Sequence, residues 1–366
     1  MLHIFEPVTK YFKIKKVRVY DGVFGLHCQV SVAILVACAI IVSAKEYFGK
    51  AIDCVSDDKD KDFVSTFCWV AGTYITENFQ QTVGAQAASV GVTGDVFDQQ
   101  NPAVPLRIYQ RYYPWIVLFL FFQAITFLTP SYLWKIWEGG RLEQMCEDLR
   151  SVFVPEEWNI KRRDLLISYF SNNNKDIHMC YALKYFFCEF LNCAVCCVNL
   201  MLLNWFFSGF WSKFGPALGA LSLYDWELWN IQSSVLFPKM AKCEFFKFGS
   251  SGSVQNTDVL CVLPLNMLND KIFAVLAYWL IFLTVVSLLN VFYRIYIMCS
   301  PKHRLRLFRV HLNSMPTHQT KFIFYGINIG DWFMLYQVGR NINPTLFREL
   351  AEQLYNKKKA NISNDV

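Results

Sequence analysis

Four stretches without a charged residue punctuate this chain, at residues 22–44, 112–134, 190–212 and 272–293. Each is predominantly apolar. Crossing a bilayer core takes roughly 20 apolar residues as a helix, and the first run would extend about 35 Å. The pattern therefore predicts four membrane-spanning helices, placed at residues 22–44, 112–134, 185–210 and 272–296. It leaves an N-terminal segment 1–21, loops 45–111, 135–184 and 211–271, and a C-terminal region 297–366. The first run is about twice the length of a signal-peptide core and is followed by no small-residue cleavage pattern, so it reads as a retained span.

Between the spans the period changes. Leu142, Met145, Cys146, Leu149, Val152 and Phe153 recur at three- and four-residue steps, one face of an amphipathic helix in the middle loop. Asn343 followed by Pro344 reads as a helix start, with Phe347, Leu350 and Leu354 on one face beyond it. The two faces predict a folded helical dome on one side of the membrane. Residues 357–366 are polar and read as a disordered tail. The tract 80–94, rich in Gln and small residues, reads as an irregular or helical part of the first loop.

Composition supports a membrane protein: 54% of residues are hydrophobic and only 17% charged. Charge then orients the chain. Five Lys or Arg lie in residues 1–26 and ten in 301–366, which places both termini in the cytoplasm. Residues 49–110 carry four basic and eight acidic side chains, in keeping with an outer loop, whereas the other two loops are nearly balanced. The Asp57, Asp58, Asp60 and Asp62 cluster lacks the Gly and terminal Glu of a calcium loop and reads as a solvated face.

Cysteine adds a second constraint. Of 13 cysteines, Cys54 and Cys68 fall in the first outer loop and Cys243 and Cys261 in the second, an even set in an oxidising compartment. Spacing does not choose among the three connectivities. The nested one, Cys54 with Cys261 and Cys68 with Cys243, would tie together the loop ends nearest the membrane and is the leading expectation. Cys188, Cys193, Cys196 and Cys197 sit on an apolar run and read as small buried hydrophobes, so no metal site is expected.

The enzyme motifs HExxH, GxSxG and Walker A are absent, and the six His are scattered, so neither catalysis nor a cofactor is expected. The basic residues flank spans, where topology explains them, which leaves no case for nucleic-acid binding. The sole glycosylation acceptor, Asn361, falls on the cytoplasmic side and should be unused.

Several strings in order resemble one family. SAKEYFG at 43–49, the Cys54 and Cys68 pair with CW and TY, YYPWI at 112–116, GDWFMLY at 330–336 and NPTLFREL at 343–350 are similar to motifs of the innexins, the invertebrate gap-junction proteins. The second-span string departs from the usual YYQWV at Pro114 and Ile116. The resemblance implies an all-α membrane protein of four transmembrane helices, with disulfide-linked extracellular loops, a helical cytoplasmic dome and an oligomeric pore. Identical or related subunits, eight by resemblance, would ring a wide pore for ions and small metabolites and dock with the hemichannel of a neighbouring cell at plasma-membrane gap junctions.

A wide pore selects by width and rings of charge rather than by ion dehydration. Lys45 and Glu46, at the outer end of the first span, are candidate rings; the alternative is ordinary interfacial charges. The family places the N-terminal segment in the pore mouth as a funnel, making Met1, Leu2, Ile4 and Phe5 gate candidates. Against this stands a membrane-surface segment held to anionic lipid by Lys10, Lys13, Lys15 and Lys16. Pro130 predicts a kink in the second span, and Glu189, Asn192, Cys196 and Asn199 form a polar stripe on the third that should meet other helices. The rival function is a four-span junctional adhesion or scaffold protein without a pore.

Overall fold

The computed structural model describes residues 17, 19–56, 61–76, 79, 83–84, 88–93, 106–146, 149, 160–171, 175–312 and 315–364. Among the described residues, four helices are long and apolar enough to span a membrane: α1 (Gly22–Phe48), α3 (Ile116–Glu138), α6 (Lys175–Phe206) and α9 (Pro264–Cys299). Each exceeds the uncharged run that announces it at one end or both. Helical hydrogen bonding continues past the bilayer edge, where charged side chains find water. The chain divides into two compact units: a terminal unit of residues 1–31, 127–195 and 283–366, and a loop unit of residues 32–126 and 196–282.

The terminal unit is helical. It includes α4 (Arg141–Cys146), α5 (Ile160–Ser171), α10 (Pro301–His311), α11 (Thr317–Tyr325), α12 (Ile329–Gly339) and α13 (Pro344–Asn364). Its core joins Leu142, Cys146 and Leu149 of the middle loop to Phe347, Leu350 and Leu354 of α13, around Trp332, Phe333 and Tyr185. The Asn343 backbone N–H donates to Leu149 O at 2.8 Å, and its side chain accepts from Thr345 N at 3.0 Å, starting α13. Val152 and Phe153 lie outside the described residues. The expectation of a disordered tail gives way to helix as far as Asn364. No Gly or Pro interrupts that stretch, and Lys358 Nζ donates to Gly326 O at the end of α11.

Helix α12 explains the GDWFMLY string. Gly330 faces the backbone of α6 so closely that a Cβ would lie 2.4 Å from Met179 N and 2.6 Å from His178 C. One residue on, Asp331 Oδ1 meets His178 Nδ1 at 2.6 Å while Asn328 and Asp331 close a capping box. Burial works against the Asp331 carboxylate, but the bonds from His178 and the Asn328 N–H outweigh it and hold the carboxyl below its ordinary value of 3.8.

The loop unit adds a five-stranded antiparallel sheet to the predominantly helical fold. Its strands are β1 (Asp53–Cys54), β2 (Thr73–Thr76), β3 (Arg107–Gln110), β4 (Met240–Phe248) and β5 (Val254–Val262), in the order β1-β5-β4-β2-β3. The second loop's hairpin, β4–β5, is thus inserted between strands of the first, with Cys54 opposite Cys261 and Tyr74 opposite Lys242. The described residues of the tract 80–94 form turns instead of helix; Thr76 N donates to Gly91 O at 2.8 Å. Helix α2 (Lys61–Ala71) crosses the first loop, and α7 (Phe210–Ser222) and α8 (Trp226–Leu236) form a pair in the second. Phe207, Phe210, Phe214, Phe237 and Phe273 form this unit's aromatic core.

Two outcomes follow for the terminal unit. Gly330→Ala forces backbone apart and should cost about 1–3 kcal/mol, lowering the melting temperature of the purified channel, whereas Gly215→Ala, with nothing within 4 Å, should not. A depressed carboxyl stabilises the fold fully above its unfolded pKa, and that contribution is lost as pH falls through the lower folded value. Melting temperature should therefore drop as pH is lowered past about 3.8, and Asp331→Asn should remove that component while lowering stability at neutral pH.

Candidate functional site

Two short loop segments meet the second-loop hairpin through sulfur. Cys54 is joined to Cys261 and Cys68 to Cys243, bridges that span 207 and 175 residues of sequence. The first links directly opposed residues of β1 and β5, and the second ties α2 to β4. Strand β1 has only two residues, too few for ladder hydrogen bonds alone to hold. All four cysteines are at most 1% exposed. The Sγ atoms of Cys54, Cys68 and Cys261 lie within 4.8 Å of one another, but sulfur committed to a disulfide offers no thiolate for a metal.

The YYPWI string bolts both loops to the head of α3. Tyr113 Oη accepts from Thr73 N of β2 at 3.0 Å, and its ring stacks on Trp69 of α2 at 4.6 Å. Tyr112 Oη donates to Leu236 O at the end of α8 at 2.8 Å. Pro114 lies in a 3-10 turn (Tyr113–Trp115) that leads into α3, where its missing N–H leaves no helical bond unmade. Each tyrosine thus serves one loop.

Lys45 is exposed and Glu46 half-exposed at the outer end of α1. Glu46 lines a cavity of about 320 Å³ with Asp53, Asp62 and Trp69, while Asp53 pairs with Lys61 at 3.2 Å and Lys50 at 3.9 Å. Asp57, Asp58 and Asp60 lie outside the described residues, as do Met1, Leu2, Ile4 and Phe5. Pro130 is buried within an unbroken α3.

The structure also assembles a charge chain that sequence reasoning missed. Arg294 grips Glu189 with a two-point bond, both contacts at 2.8 Å. Its guanidinium also reaches Asp21, whose other oxygen is held by Arg340. Two anions and two cations alternate from α6 through α9 and the root of α1 to the end of α12. Tyr185 supports the line, its hydroxyl accepting from Asp21 N at 3.2 Å. Asp21 is the residue from which the N-terminal segment departs. Glu189 stood out on its span, but Arg294 closes an uncharged run and reads as a boundary; only its distance along the helix would have paired it.

The rest of the third-span stripe also meets neighbouring helices. Asn199 Nδ2 donates to Thr126 Oγ1 at 2.9 Å, and Cys196 and Asn192 are buried. A wider π-helical turn at Leu26–Ser31 sets His27 Nε2 2.7 Å from Ser287 Oγ, linking α1 to α9.

Removing Arg294 would strand Glu189, whose side chain is 3% exposed, without its cation. Arg294→Met should cost about 3–5 kcal/mol, and adding Glu189→Leu should restore much of that loss because two apolar side chains need no partner. Thermal melting of the single and double variants reads the coupling; additive losses would contradict it.

A family model described as Innexin matches residues 20–358. The chain is 42% identical over 355 residues to Innexin inx4 of Drosophila melanogaster, covering 96% of this chain and 95% of that one. It is 40% identical over 365 residues to Innexin inx4 of Anopheles gambiae, covering 99% and 93%. Innexin shaking-B of Drosophila melanogaster is 35% identical over 358 residues, covering 98% and 95%. With the motifs accounted for by the two disulfides, the paired tyrosines and the α12 packing, the chain belongs to the innexins and is a multi-pass plasma-membrane subunit of a gap-junction channel, not an enzyme.

Proposed function

We propose that eight copies of this chain ring a pore, and that two such rings dock through their loop units to connect neighbouring cells. The observation that carries this reading is the shared sheet. Because β4–β5 is inserted between strands of the first loop, the two loops present one surface rather than two independent flaps. At the far end of the hairpin Phe248 is 76% exposed and Val254 58%, apolar groups available to a facing ring. Lys45 and Glu46, repeated by symmetry, set charge preference at the outer end of α1, and Pro130 lets α3 bend during gating. The N-terminal segment lines the pore mouth, with Met1, Leu2, Ile4 and Phe5 as its narrowest apolar ring.

Paired cells expressing the chain test docking. Wild type should give junctional current, and Cys54→Ser and Cys261→Ser should abolish it at equal surface delivery, because either frees β1 from the hairpin. Robust coupling from both variants would sink the shared-surface reading. Absent wild-type coupling despite surface delivery would favour adhesion without a pore. For the charge rings, Lys45→Gln should shift the reversal potential in a salt gradient toward cation preference and Glu46→Gln toward anion preference; unmoved potentials would remove both from the pore.

A further inference from the structure

The loop unit contains a cavity of about 740 Å³ that neither the disulfide frame nor the docking surface uses. It opens among the residues just before α3, the end of α6, and helices α7 and α8. With both termini cytoplasmic, the start of the second span and the end of the third lie at the outer membrane face. Its volume falls within the range of about 300–1,000 Å³ typical of small-ligand sites.

The lining has a definite chemistry. Arg111 and Lys213 both contribute to it, and no carboxylate does. Neither cation has an acidic partner among the described residues; the Arg111 guanidinium lies over the Tyr109 ring at 5.3 Å. Gln110 also lines the cavity, only 5% exposed, and its side-chain amide makes no hydrogen bond among the described residues although its backbone pairs in the sheet. That amide borders the open space, where a ligand acceptor would take its N–H groups. Trp115, 61% exposed, and Phe206 supply apolar walls, an aromatic pair at headgroup depth.

Two cations without an acidic partner among the described residues, an amide beside the open space and aromatic walls at the outer interface match an amphiphile with an anionic head. We propose that this cavity holds one outer-leaflet phospholipid, its phosphodiester between Arg111 and Lys213, an ester carbonyl on the Gln110 amide, and an acyl chain over Trp115 and Phe206. Arginine suits the phosphate because its planar fork bonds two oxygens at once. The lipid would brace the first-loop strand β3 against the α7–α8 pair, filling space that the chain's own side chains leave open.

The test uses the full chain as the assembled channel. It is equilibrated in phosphatidylcholine vesicles, extracted, washed stepwise with detergent and weighed intact by native mass spectrometry. Wild type should retain one phosphatidylcholine per subunit after bulk lipid is gone. Arg111→Ala combined with Lys213→Ala should lose it, and so should Val235→Trp, which fills the cavity and leaves both cations, with disulfides and assembled mass unchanged in each. Should the double variant not assemble, Lys213→Gln at its half-exposed position carries the test through a several-fold lower retention. Equal retention in wild type and variants would overturn the proposal. Loss in Val235→Trp alone would overturn the headgroup assignment, and displacement by excess inorganic phosphate would give the cavity to a free anion instead.

Discussion

The insertion of the second outer loop's hairpin between strands of the first, held by two disulfides, is the constraint on which the loop unit depends. Strands of two and four residues contribute little pairing of their own, so β1 and β2 rest on the nine-residue β5 and β4, and β3 adds to the sheet through β2. Closing loops of 207 and 175 residues is entropically expensive for an unconstrained chain, and a covalent bond removes that cost from the folded state's account. Spans already anchored in a bilayer reduce the gain, yet they also bring the loops to the same face where the sulfurs can meet. Tyr112 and Tyr113 then transmit the frame to the head of α3, one hydroxyl to each loop.

In the terminal unit the organising interaction is electrostatic. Glu189, Arg294, Asp21 and Arg340 alternate in sign, so each charge taken from water has an opposite neighbour. The arrangement fixes the root of the N-terminal segment to two spans and to α12 at once. Gly330 and Asp331 perform the corresponding task between α12 and α6, one by allowing backbone contact and the other through His178.

What could be read from the sequence follows from the range of each signal. Four spans were legible because a continuous apolar run is a local property, and the dome because Leu142, Cys146, Leu350 and Leu354 keep helical spacing. The sheet was not legible: β1 to β3 are too short for alternation to register, and their partners lie far along the chain. The charge chain escaped for a related reason, since Arg294 and Arg340 look like ordinary boundary and surface cations until α9 and α12 bring them to Asp21. Near the helical end of α13, Lys358 meets Gly326, a contact between residues 32 apart in sequence. Motif resemblance located Trp69, Tyr113 and Gly330 as residues of note; only geometry supplied what each of them does.

The two outer loops form one covalently closed surface. Peptide mapping without reduction, on channel taken from the cell surface, tests it most directly. One fragment should link Cys54 to Cys261 and another Cys68 to Cys243. A fragment joining Cys54 to Cys68 would confine the first loop to itself and contradict it.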